Sequence, residues 1–220
     1  GSLAGADIAY GAAFKRAGVV RADDFESLFD SATALAMQPL PKGDRIAVIT
    51  NAGGPGIMAA DAVENLDMNL EPITPEIAAD IKTKLPAAAS VANPIDVLGD
   101  ADSARYAMAL NAVMKDPKVH GIIVILTPQA MSDPEATAKA IIKEATGEKP
   151  VLACFMGGSQ VVSARKAFVL ANVPEYPSPE RAVGALKDMV DYNAWLNRPP
   201  RVVARFPANK HRVQRVLIRQ

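Results

Sequence analysis

The stretch Ile46-Ala47-Val48-Ile49-Thr50-Asn51-Ala52-Gly53-Gly54-Pro55-Gly56 constrains this chain more than any other. The apolar run Ile46–Ile49 is what a parallel strand buried on both faces uses. It gives way to Thr50 and Asn51, then to three glycines and a proline, then to the alanine-rich start of a helix. A strand, a glycine turn and a helix in that order leave amide N–H groups unpaired at the helix start, where the helix dipole also favours an anion. Glycine there lets a phosphate approach the backbone without meeting a Cβ. Thr50, Asn51, Ala52, Gly53, Gly54 and Gly56 are therefore the candidate phosphate-binding residues. The turn is neither a P-loop, since no Gly-Lys-Ser/Thr follows, nor a full G-x-G-x-x-G fingerprint. A tight strand-to-helix turn without a ligand reads equally well from these residues alone.

Downstream of Pro41 the pattern alternates. Strands are expected at Ile46–Thr50, Met68–Glu71, Asn93–Leu98, Gly121–Leu126 and Val151–Phe155, with a further short one at Val173–Tyr176. Helices lie between them. Thr74-Pro75-Glu76, Asp133-Pro134-Glu135 and Ser178-Pro179-Glu180 each read as an N-cap followed by proline at the first helical position. The expected fold is α/β, a doubly wound, five-stranded, flavodoxin-like parallel sheet of order 2-1-3-4-5.

Residues 1–40 precede the first strand as a helical arm. Its first helix ends at Gly18. Its second is capped by Asp23 or Asp24 and carries Phe25, Leu28, Phe29, Ala32, Leu35 and Ala36 on one face. Residues 41–196 form the flavodoxin-like domain. Residues 197–220 read as a basic linker and a helix from Asn209 to Arg219, whose thin apolar stripe needs a partner surface.

Lys+Arg and Asp+Glu both number 24, so net charge suggests no nucleic-acid partner. The seven bases from Arg198 onward are interleaved by a single aromatic, Phe206, too few for a stacking platform, which argues the same way. The longest strongly apolar run, Ile122–Leu126, is far too short for a bilayer, and no signal peptide is visible. The lone Cys154 excludes an internal disulfide framework and suits a reducing, cytoplasmic setting; it reads as a small core residue. The chain lacks an initiator Met, so a processed product, a tagged chain or a fragment is expected, with Gly1-Ser2 as candidate tag remnants.

Ligands of open α/β sheets bind at the carboxyl ends of strands. Asn93, Asp96 and Asp100 would line that crevice opposite the glycine turn, with Gly157 and Gly158 further along the same edge. Asp96 and Asp100 serve as readily to cap backbone N–H groups. His120 reads as a turn residue and His211 as part of a solvated basic face. No His, Cys or carboxylate cluster has metal-site spacing, and no Ser/His/Asp set can be assembled. The residues thus supply an anion crevice without a nucleophile, a general base or a metal.

The segments Gly1-Ser2-Leu3-Ala4-Gly5-Ala6-Asp7, Ala12-Ala13-Phe14-Lys15-Arg16-Ala17-Gly18-Val19-Val20-Arg21, Leu35-Ala36-Met37-Gln38-Pro39-Leu40-Pro41-Lys42-Gly43, Thr50–Gly56 and Asn93-Pro94-Ile95-Asp96-Val97 resemble, in this order, the ADP-forming acyl-CoA synthetases, relatives of succinyl-CoA synthetase. The resemblance spans residues 1–196 and matches the flavodoxin-like domain downstream of the CoA-binding half. It implies interconversion of acyl-CoA, ADP and phosphate with acid, CoA and ATP, through a phosphohistidine on a mobile loop. That histidine usually sits in a Ser-His-Thr-Gly-Ser-Leu-Ala-Gly stretch, which would put it two residues upstream of Gly1. The implied parent uses ATP/ADP, CoA and Mg, contains CoA-binding and ATP-grasp domains, and is oligomeric. Beyond phosphate, no cofactor is expected on this chain alone, and the isolated 220 residues are expected not to turn over. Two alternatives stand beside this reading: the non-catalytic region of a protein lysine acetyltransferase of the same modular build, and a scaffold or ligand-sensing domain without chemistry.

Overall fold

The computed structural model describes residues 2–199. Two helices lead, α1 (Ser2–Ala17) and α2 (Phe25–Met37). There follow β1 (Ile46–Thr50), α3 (Gly53–Asn65), α4 (Pro75–Lys84), β2 (Ile95–Asp96), α5 (Ser103–Met114), β3 (Gly121–Leu126) and α6 (Pro134–Glu144). The chain continues through β4 (Val151–Phe155), a 3₁₀ turn (Gly158–Val161), α7 (Val162–Leu170) and α8 (Pro179–Leu196). The tail helix expected at Asn209–Arg219, and His211 within it, lie outside the described residues.

Four parallel strands, in the order β2-β1-β3-β4, make the sheet. This corrects the expected five strands and their order. The strand expected at Asn93–Leu98 shrinks to Ile95–Asp96 and lies at the edge beyond β1, while β3 pairs with β1 directly, Val48 opposite Ile123. Met68–Glu71 contributes one bridge only, Asn69 to Arg45. The reason lies in two asparagines. Glu71 N turns back to Asn69 Oδ1, 3.0 Å away, so it no longer faces β1. The free edge of β1 is taken instead by the Asn93 side chain. Val48 N donates to its Oδ1 at 3.0 Å, and its Nδ2 donates to Ile46 O at 2.7 Å. One carboxamide thus stands where a strand backbone was expected. Val173–Tyr176 likewise makes a single bridge, Glu175 to Ala153.

Alternation along β1 and β3 sends side chains to two cores. Ile46, Val48, Ile123 and Ile125 pack with Cys154, Ala59 and Val63 of α3, and Leu186 and Met189 of α8. Ala47, Ile49, Ile122 and Val124 pack with Ile81 of α4, Tyr106 and Leu110 of α5, Ile141 of α6 and Phe168 of α7. Every residue of β1, β3 and β4 is buried. Burying each large aliphatic side chain favours folding by about 1.5–3 kcal/mol before chain entropy is subtracted. The sheet is therefore a rigid base for the loops at its carboxyl rim.

The arm is attached through polar contacts. Asp24 caps α2 by accepting from Ser27 N at 2.7 Å. Ser31 and Ala34 of α2 are buried against α8, and Arg181 grips Asp30 through two hydrogen bonds of 2.6 and 2.8 Å. The apolar stripe read from the sequence exists, but Phe25, Leu28 and Phe29 are turned outward, with Phe25 79% exposed. α1 meets α8 at Gly18, whose φ is +75°. Trp195 lies against Gly18 and donates its indole N–H to Arg16 O at 3.2 Å. Among the described residues, no helix is long and apolar enough to cross a membrane.

Candidate functional site

The turn after β1 is shaped by its own side chains. Thr50 Oγ1 accepts from Ala52 N at 3.0 Å and donates to Ala52 O at 2.9 Å. Gly56 N donates to Ala52 O at 3.2 Å. Pro55 has no N–H. Of the first-turn donors of α3, the Gly53 and Gly54 amides are left without a backbone or side-chain acceptor of this kind. The N-cap of α3, Ala52, offers no side-chain bond, and neither do Thr74 of α4 and Val161 of α7, whereas α2, α5, α6 and α8 are capped by Asp24, Asp102, Asp133 and Ser178.

The three glycines differ. A Cβ on Gly53 or Gly54 would meet nothing within 4 Å. A Cβ on Gly56 would lie 2.9 Å from Thr50 Cγ2. Gly56 is thus demanded by the packing of α3 on β1, while Gly53 and Gly54 face open space. No packing reason requires glycine at those two positions, and a ligand that must approach the backbone would.

Asn51 is 4% exposed, and its side chain crosses to the end of β3. Thr50 and Asp96 are opposite one another in the β1–β2 pairing, so the loops after both strands meet. Asp96 Oδ1 accepts from Leu98 N at 2.9 Å, holding Leu98 at φ +73°. Asp100 pairs with Arg105 at 2.6 Å, and that hydrogen bond holds its carboxyl below the usual carboxylate range. Arg105 also donates to Val97 O at 2.8 Å. Both carboxylates thus serve their own loop. Asn93, expected to line the crevice, is committed to the edge of β1. Gly157 lies against Pro128, where a Cβ would meet the ring at 2.5 Å, and Gly158 has φ +53°.

Further neighbours complete this rim, of which sequence reasoning missed Arg105. Gly99 sits beside the Gln129 side chain and Asn51 O, and Arg105 braces the loop from α5. The Tyr106 hydroxyl donates to Ile125 O at 2.9 Å beneath the rim. Desolvation raises the pKa of that buried phenol far above its ordinary value.

Among the described residues no alternative chemistry is assembled. Burial pushes the Cys154 thiol up to about 12, away from nucleophilic use. His120 is half-buried, with Nδ1 accepting from Arg45 N at 3.2 Å; desolvation lowers its pKa. No group of three or more His, Cys, Asp or Glu could hold a metal among the described residues. A cavity of about 580 Å³ between α1 and α8, lined by Phe14, Arg21, Asp188, Tyr192 and Trp195 among others, shares no residue with the rim.

Residues 46–195 match the Ligase-CoA domain family. The chain is 34% identical to the ADP-forming 4-hydroxybutyrate–CoA ligase of Nitrosopumilus maritimus, over 98% of this chain and 31% of that protein. It is 37% identical to the alpha subunit of ADP-forming acetate–CoA ligase I of Pyrococcus furiosus, over 89% of this chain and 43% of that subunit. Its structure resembles the dinucleotide-forming acetyl-coenzyme A synthetase 1 of Candidatus Korarchaeum cryptofilum, solved in complex with phosphate and ADP. The TM-score is 0.79 at 35% identity, covering 86% of this chain and 42% of that one. The chain therefore spans less than half the length of these relatives. With its strand, glycine turn and helix inside the matched region, it belongs to the Ligase-CoA domain family.

Proposed function

We propose that this chain is the part of an ADP-forming acid–CoA ligase that receives a phosphohistidine, borne on another segment, at the N-terminus of α3. The observation that carries this reading is the uncapped pair of amides at Gly53 and Gly54, with open space where their Cβ atoms would be. A phosphorylated side chain carries about two negative charges near neutral pH. Two N–H donors and a helix N-terminus favour such a group by about 0.3–1 kcal/mol per charge when exposed, and up to about 2 kcal/mol when partly buried. Phosphoryl transfer depends chiefly on positioning and charge stabilisation, which this turn supplies. The nucleophile, CoA, ATP/ADP and Mg²⁺ belong to CoA-binding and ATP-grasp parts of the same enzyme, which interconverts acyl-CoA, ADP and phosphate with acid, CoA and ATP. Residues 41–196 form the docking domain, residues 1–40 the arm and residues 197–220 the linker.

The test is an amide-resolved NMR titration of the chain with inorganic phosphate. Gly53 and Gly54 shift most, and Gly54→Glu abolishes the response while leaving the dispersion of core amides intact. A Gly54→Glu chain that binds phosphate as the parent does overturns the reading.

A further inference from the structure

The order β2-β1-β3-β4 sends the chain from β1 to one side and brings it back on the other, so the connections diverge between β1 and β3. Ligands of open α/β sheets ordinarily enter at that divergence. Here it is closed by one side chain. Asn51 Nδ2 donates to Thr127 O at 2.9 Å, and Thr127 N donates to Asn51 Oδ1 at 2.9 Å. The two bonds make a rung beyond the last paired residues, Thr50 and Ile125. The Asn51 carbonyl oxygen lies 3.9 Å from where a Gly99 Cβ would be, so the β2–α5 loop closes the other side.

We infer that Asn51 is a positioning residue for the anion site: it ties the end of β1 to β3 and so fixes the direction in which the Gly53 and Gly54 amides point. This inference rests on the phosphate-docking reading above. The chemistry of the bond makes asparagine specific. A carboxamide donates and accepts at once. An ionised carboxylate accepts only, so aspartate would face Thr127 O with no proton to give. A protonated aspartic acid restores the donor, and burial beside a carbonyl raises the pKa at which it does so.

The experiment uses the full 220-residue chain with N51A and N51D substitutions and inorganic sulfate as probe, because sulfate keeps its charge between pH 5 and pH 7.5. Residual dipolar couplings report the orientation of the Gly53 and Gly54 N–H vectors relative to β1 and β3 without ligand. Amide shifts report sulfate affinity. In the parent chain the affinity is alike at both pH values. N51D weakens it about ten-fold at pH 7.5 and returns to within about three-fold of the parent at pH 5. N51A weakens it at both and reorients the glycine N–H vectors. Acid rescue would also follow from removing a negative charge beside the anion, so the N–H orientation in the uncharged N51A chain is what separates positioning from repulsion. Should N51A not fold, Asn51→Ser gives the same comparison. Unchanged couplings in the alanine or serine variant, or parent-like sulfate binding by N51D at pH 7.5, overturns the inference. A parent chain indifferent to sulfate whose amides nonetheless reorient in N51A overturns the docking reading and upholds the hold of Asn51 on the turn.

Discussion

Gly56 of α3 rests on the Thr50 methyl group of β1, so close that a Cβ would sit 2.9 Å from it. The helix here packs directly on a strand side chain, and the turn between them inherits that geometry. Gly56→Ala is expected to destabilise the fold by about 1–3 kcal/mol through overpacking. Gly53→Ala, with nothing within 4 Å, is expected to change stability by less than about 1 kcal/mol. Denaturant midpoints of the two variants check the contrast, and equal losses would refute it.

Gly18 and Trp195 make the same kind of argument for the arm. A Cβ on Gly18 would lie 2.4 Å from the indole, and φ +75° already disfavours other residues. Gly18→Ala is expected to release Trp195 from Arg16 O. Because Trp195 is the only tryptophan, its emission reports the event directly. A red shift at a denaturant concentration where the core remains folded is the expected result; unaltered emission would count against the clamp.

The Arg181–Asp30 pair joins α8 to α2 by a two-point contact, with Asp30 mostly buried. Arg181→Ala leaves that carboxylate without its fork and is expected to cost roughly 1.5–3 kcal/mol. Arg181→Lys keeps the charge without the planar geometry and should recover only part of the loss. Thermal unfolding of the two variants side by side is the measurement.

His120 gives the fold a pH dependence with a definite sign. Burial, the largest influence, lowers its pKa, with Lys149 and Arg45 adding to the effect and Asp44 opposing it. A base whose folded pKa lies below its unfolded value of about 6.5 is protonated first in the unfolded chain. The stability it contributes is fully present above that value and is lost as pH falls through about 6.5 toward the folded pKa. His120→Gln should flatten this part of the stability profile in urea titrations from pH 8 to pH 5, and an unchanged slope would assign the dependence to another group.

The strands β1, β3 and β4 were legible because each is an uninterrupted apolar run, and Asp133 and Ser178 were legible as helix starts by their chemistry. The edge was not. Asn69 and Asn93 decide it by where their carboxamides reach, and nothing in a one-dimensional pattern shows that an asparagine will replace a strand. The stripe Phe25, Leu28 and Phe29 was read correctly as one face, but periodicity does not say which face meets the protein; the small residues Ser31 and Ala34 do. The glycine turn was legible at the level of its backbone. The commitments of Thr50 to Ala52 and of Asn51 to Thr127 were not, since the second joins residues 76 positions apart.

Pro55 bears on how the turn greets a visitor. Gly-Gly-Pro-Gly would otherwise be among the loosest tetrapeptides a chain can carry, and fixing it at the moment of contact would consume much of the favourable free energy. The pyrrolidine ring holds φ near the helical value at the third position of α3. The coil is wound before anything arrives, so under the docking proposed above an incoming dianion would have only its own tether to immobilise. Release would be eased for the same reason, because no collapse of the turn would have to be reversed before the charged group swung away.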